Sequence, residues 1–256
     1  MGRPKVFLVK ALAALLLMLC LVVPAGAQGS QIECLETQLT PAQLRRIESG
    51  LEWIKAFYGR LGLRPETRIK ARIFKTKPEF LEYQAGHRKF SAGGHPTSTG
   101  YYSNRDKELV LWTGPGFEAV FLHEAQHSFM RSLYPKVPTW LNEGLSECVE
   151  GLNLEGVARL EPQDYRLRKT RGLRSQNFSR TLLQVVGYTR QQFEAGRGPT
   201  HGDTYTRAWA LVYFLLSRPR GEELIRRLLD GGSLREIYPG GTGELRDNLE
   251  EFYRTL

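Results

Sequence analysis

The chain has few cysteines and almost no long apolar runs. Three of its 256 residues are cysteine, and one of these, Cys20, lies in the N-terminal apolar stretch. Cys34 and Cys148 remain beyond it, so one disulfide at most can form, the alternative being two separate buried thiols. Ala11 to Val23 is the one long apolar run. It is shorter than the roughly twenty residues a membrane span requires. It follows Arg3, Lys5 and Lys10 and precedes Ala25-Gly26-Ala27, the order of parts in a signal peptide cleaved near Ala27. Leu19, before Cys20, is not small, which argues against a lipoprotein. The mature chain from Gln28 is therefore expected to be soluble and exported, either periplasmic or secreted.

Repeats and low-complexity tracts are also missing. Without residues 1–27, 229 residues remain, which suits one domain, 28–256. The formal net charge is +9, of which the leader carries three, leaving six. Part of the excess gathers at Arg166, Arg168, Lys169, Arg171, Arg174 and Arg180. No aromatic residues interleave with these in the way single-strand binding requires, so no nucleic acid partner is expected. A basic exported surface meets anionic envelope polymers or lipid head groups instead. The plainer reading of this stretch is a solvated loop.

The chemistry is concentrated in His123-Glu124-Ala125-Gln126-His127. Residues four apart share a helix face, so His123 and His127 can turn both imidazoles to one metal ion. Glu124 sits beside that face, where a carboxylate can take a proton from water. Ala119-Val120-Phe121-Leu122 leads this helix into a core, and buried imidazoles and carboxylates need partners, which a metal supplies. Catalytic zinc usually takes three protein ligands and leaves one position open.

The third ligand is sought in Trp140-Leu141-Asn142-Glu143-Gly144-Leu145-Ser146-Glu147. Pro135 and Pro138 bracket a loop, and a second helix is expected from Pro138 or Thr139, with Thr139 a possible cap. On it Glu143 and Glu147 share a face. Glu143 is the expected ligand, and Glu147 the carboxylate that accepts the other N–H of a ligand histidine. The competing reading is an amphipathic helix whose Glu143, Glu147 and Glu150 face water.

HExxH followed by an Asn-Glu-x-x-x-acid helix resembles the gluzincin metallopeptidases, and Trp140 to Glu147 is similar to small bacterial peptidase MA-like domains. The resemblance covers about Ile69 to Leu216. It implies a zincin-like fold, Zn2+ on His123, His127 and Glu143, Glu124 as general base, and Asn142 and Glu147 around the ligands. The implied substrate is a peptide or protein. The gap from His127 to Glu143 is shorter than in thermolysin or aminopeptidase N. The Gly-x-Met-x-Asn motif of the latter is absent, so specificity does not carry over. Tyr205 opens an apolar helical run and is similar to the catalytic-tyrosine segment of such domains. It is the expected oxyanion donor, with simple packing as the alternative and His201 as a competitor. A catalytically inactive binding module of the envelope with the same fold is the rival reading.

The rest of the chain reads as α+β. Gln28 to Thr40 reads as a tether, and Pro41 to Leu61 as a helix with Pro in its first turn. Thr67 to Phe74 is a strand and Lys77 to His87 a short helix. Ser91 to Ser98, with His95, is a loop. Thr99–Ser103 and Glu108–Trp112 form a hairpin, which makes a small antiparallel-edged sheet before the active-site helix. By the resemblance, Lys107 to Leu111 is the edge that pairs with substrate. Beyond Gly151 the chain is mainly helical, with helices expected over 203–218, 221–229 and 244–256 and a short apolar segment at 182–186.

Overall fold

The computed structural model describes residues 31–66, 68–88, 99–172, 178–196, 204–238 and 240–256. The leader, the loop 91–98 with His95, Arg174 and His201 lie outside the described residues.

Strand β1 (Gln31–Leu35), helix α1 (Pro41–Arg60) and strand β2 (Arg68–Phe74) open the chain. The segment expected to be a tether thus contains a strand, paired parallel to β2 from Gln31↔Arg68 to Leu35↔Arg72. Ile32 and Cys34 alternate with polar neighbours and pack on the core. That pattern is too short to stand alone until β2 supplies its hydrogen bonds. Thr40 accepts from the Gln43 N–H in a capping box, and Pro41 follows it, so α1 starts where the sequence indicates.

Helix α2 (Lys77–Arg88) and the hairpin of β3 (Gly100–Ser103) and β4 (Glu108–Trp112) follow. The sheet order is β1-β2-β4-β3. β4 is parallel to β2 and antiparallel to β3. This corrects the expectation that Lys107 to Leu111 is an edge. β4 spends its backbone groups on both neighbours, and the antiparallel edge is β3.

The two sheet faces differ. Ile69, Ala71, Ile73, Leu109 and Leu111 enter the main core, which they share with α1 and with α3 (Phe117–Leu133). The opposite face is covered by α2, where Phe80 packs edge-on and Tyr83 tilted against Phe74. Glu108 is buried there, 1% exposed. It accepts from Arg72 Nε at 3.1 Å and Tyr83 Oη at 2.9 Å and lies 3.2 Å from Lys70 Nζ. Burial alone would raise the Glu108 pKa, but these three donors outweigh it and hold the carboxyl below its usual value.

Helix α4 (Thr139–Glu150) follows a loop at 134–138. Pro138 occupies its N-cap position without a side-chain cap, so Thr139 begins the helix instead of capping it. A two-stranded ribbon of β5 (Leu152–Asn153) and β6 (Arg159–Leu160) leads to α5 (Asp164–Gly172). Then come α6 (Phe178–Leu183), a 3-10 turn (Gln184–Gly187), α7 (Arg190–Ala195) and α8 (Thr204–Leu216). α9 (Gly221–Leu229), α10 (Leu234–Ile237) and α11 (Gly241–Thr255) complete the helical half. Helix α8 is buried from Thr206 to Leu215 and packs along α4. α11 closes over it, with Tyr253 Oη donating to the Ala210 carbonyl at 2.6 Å.

The described chain is thus a mixed α+β fold. Arg166 is a correction: it lies on a helix, 4% exposed, and not in a solvated loop. Cys34 and Cys148 are free thiols on β1 and α4, so the bridge between them is not formed. Burial pushes both thiols up. Among the described residues no helix is long and apolar enough to cross a membrane.

Candidate metal centre

Helix α3 carries His123, Glu124 and His127 inward. His123 and Glu124 are 9% and 8% exposed. Two contacts with α1 seat this turn. A Cβ at Gly50 would come within 2.4 Å of Leu122 Cδ1, so glycine there lets the helices touch just before His123. Gln126 Nε2 donates to Tyr58 Oη at 2.7 Å, which ties the buried side of the motif to α1, while Gln126 Oε1 is buried with no hydrogen-bond partner among the described residues.

α4 presents its acidic face to these histidines. Glu143 Oε2 is 3.7 Å from His123 Nε2 and 3.6 Å from His127 Nε2. The three ligand atoms lie within 4.8 Å of one another. Zinc holds such atoms at about 2.0–2.2 Å, which places tetrahedral neighbours about 3.3–3.6 Å apart. The two distances to Glu143 are close to that spacing, so the set could hold one metal ion.

The other ring nitrogens are already engaged. His123 Nδ1 is 2.9 Å from Glu150 Oε2, and His127 Nδ1 is 3.1 Å from Ser146 Oγ. The Glu150 carboxylate can only accept, so His123 carries its proton on Nδ1 there and turns Nε2 toward Glu143, whereas the Ser146 hydroxyl can give or take a proton and holds the His127 ring without choosing its tautomer. Sequence reasoning missed both partners. The available signal was spacing, since Glu143, Ser146, Glu147 and Glu150 stand at i, i+3, i+4 and i+7 and share one face of α4.

Glu147 does not take the expected role. Its Oε1 is 3.9 Å from His123 Nδ1, beyond hydrogen-bond range. Instead it forms a buried ion pair with Arg166 of α5. Glu150, one turn later, takes the histidine. Asn142 precedes Glu143, and its Oδ1 is buried with no hydrogen-bond partner among the described residues.

The imidazoles and carboxylates of this cluster shift one another's pKa values. Burial alone would lower the pKa of His123. Hydrogen bonds with Glu143 and Glu150 and the charges of Glu124 and Glu150 outweigh it and lift the value to about 10. Burial would raise Glu143, but the charge of His127 and hydrogen bonds with both histidines hold it far below the usual carboxylate range.

Tyr205 stands in the first turn of α8, its ring edge-on to Phe193 with centroids 5.0 Å apart. A Cβ at Gly144 would lie 2.6 Å from the Ala208 carbonyl oxygen. The backbone one turn beyond Tyr205 therefore touches the residue next to Glu143. Its rival His201 lies outside the described residues.

Two further groups of potential ligands exist among the described residues, His87–Asp106–Glu108 and His123–Glu147–Glu150. Cations of the protein already occupy both. Arg72 and Lys70 face Glu108, and Arg166 faces Glu147 and Glu150. Among the described residues, no Arg or Lys pairs with the His123–His127–Glu143 set.

No curated protein and no solved structure matches the chain. Residues 118–234, which contain all three candidate ligands together with Glu124 and Tyr205, match the family described as "Protein of unknown function (DUF1570)".

Proposed function

We propose that the protein is an exported, zinc-dependent peptidase with a zincin-like fold. One observation carries the reading. His123 Nε2, His127 Nε2 and Glu143 Oε2 converge within 4.8 Å while both Nδ1 atoms are held elsewhere, and Glu124 adjoins them on the same buried turn.

His123, His127 and Glu143 would hold the ion, which when bound supplies a Lewis acid for water and for a scissile carbonyl. Glu124 accepts the proton of the attacking water and returns it to the leaving amine. Tyr205, from the start of α8, donates to the carbonyl oxygen as charge builds there. The antiparallel edge β3, Gly100–Ser103, replaces Lys107–Leu111 as the strand that can receive an extended peptide by main-chain hydrogen bonds. The six net positive charges of the mature chain favour contact with an anionic envelope surface.

The test is zinc content of the chain from Gln28 onward, beside Glu143→Ala and Glu124→Gln. About one zinc per chain is expected in the parent and in Glu124→Gln, and markedly less in Glu143→Ala. A peptide library should be cut by the parent in a chelator-sensitive way, and far more slowly by Glu124→Gln. A metal-free parent after zinc reconstitution sinks the proposal. Zinc without turnover leaves a binding module of the envelope.

A further inference from the structure

We infer that Arg166 is a positioning residue of this metal centre, holding Glu147 away so that Glu150 alone orients His123. The inference rests on the metal reading above and adds to it a residue from a separate helix.

Two carboxylates compete for one nitrogen. Glu150 Oε2 is 2.9 Å from His123 Nδ1, and Glu147 Oε1 is 3.9 Å from it. Both project from the same face of α4. Helix geometry does not choose between them, since each is within a turn of the ring. The guanidinium of Arg166 does. It pairs with Glu147 and stands 4.0 Å from Glu150 Oε2, close enough to balance the second charge without capturing it.

The arginine is itself anchored. It is 4% exposed, and its Nε donates to Gln163 Oε1 at 2.6 Å. Gln163 Nε2 in turn reaches the Glu147 carbonyl at 3.4 Å. The Tyr165 ring lies under the guanidinium, 4.8 Å from centroid to Cζ. A planar, permanently charged fork held on several sides is a fixed counter-ion. By distance alone, His123, Glu147 and Glu150 could hold a second cation. Arg166 fills that need from within the chain, and His123 is left to offer Nε2 toward Glu143.

The experiment measures zinc affinity by chelator competition, and the visible spectrum of the Co2+-substituted protein, for the parent and four variants. Glu150→Gln should weaken zinc binding about 10- to 100-fold, the usual cost of losing such an orienting partner. Glu147→Gln should cost less than Glu150→Gln. Arg166→Met should lose about tenfold or more and shift the cobalt bands, because the ring is no longer held in one orientation. Arg166→Lys keeps the charge but not the fork, so it should fall between the parent and Arg166→Met. Circular dichroism of the metal-free proteins reports whether each variant folds. If Arg166→Met does not fold, Arg166→Lys decides, since weakened zinc with shifted cobalt bands is expected of it as well. Parental affinity and parental cobalt bands in a folded Arg166 variant overturn the inference, as does parental affinity in Glu150→Gln. A parent that binds no zinc removes the metal reading and this role together. A zinc-binding parent with indifferent Arg166 variants removes this role alone.

Discussion

Gly144 is where the residue scale decides most. It follows the candidate ligand Glu143 on α4, and a side chain there would meet the Ala208 carbonyl at 2.6 Å and Val212 Cγ2 at 2.5 Å. The first contact is backbone and cannot turn aside. Gly144→Ala is therefore expected to destabilise the fold by about 1–3 kcal/mol, the usual cost of overpacking. Thermal unfolding should show a lower midpoint, and zinc affinity should fall with it because α4 is pushed off α8. An unchanged midpoint would contradict the close approach. The same scale shows how far sequence reaches. His123, His127 and Glu124 were legible because a spacing of four is a fixed property of helices. The choice of Glu150 over Glu147 was not, since both sit on one face and a guanidinium from another helix selects between them.

At the scale of elements, the sheet has one apolar and one polar-centred face, and α2 closes the latter. The alternation of Ile69, Ala71 and Ile73 with Arg68, Lys70 and Arg72 marks β2 in the sequence. Nothing there says that Lys70 and Arg72 meet a buried carboxylate. Glu108 carries a pKa below its ordinary value of 4.5. Its ionised form thus adds stability that is fully present above about pH 4.5 and is lost as pH falls through the lower folded value. Glu108→Gln should cost about 2 kcal/mol at pH 7, the range for hydrogen bonds to charged groups. For a domain of this size that is about 4–8 °C in the unfolding midpoint. The gap between parent and variant should close as the pH is lowered below 4.5. A gap that stays constant across that range would refute the assignment. Strand order was likewise illegible. Hairpin and strand patterns give β3, β4 and β2, but only assembly shows that β4 lies between the other two.

The whole molecule makes the centre depend on residues far from it in sequence. All three candidate ligands fall within 123–143, yet α8, at 204–216, covers the back of α4 and is itself roofed by α11. Further ties join the halves. Arg226 Nη1 donates to the Leu61 carbonyl at 2.9 Å, and Tyr134 Oη to Asp230 Oδ1 at 2.8 Å. A fragment ending at Gly151 keeps every candidate ligand but exposes apolar residues of α4 that α8 covers. Such a fragment should not retain the parent's zinc affinity or a cooperative unfolding transition. Parental zinc binding by residues 28–151 would show that the helical half is dispensable for the site.

The amino-acid order by itself determined the spacing of the candidate ligands, the amphipathic helices, the hairpin and the α+β class, because these follow from periodicity, capping and turn chemistry within a few residues. Tertiary structure alone decided that β1 joins the sheet and that β4 is interior. It also decided that Arg166 is buried and that Glu150 holds His123. Each of these depends on which distant group supplies a hydrogen bond or a counter-charge, and no local pattern encodes a partner that lies on another element.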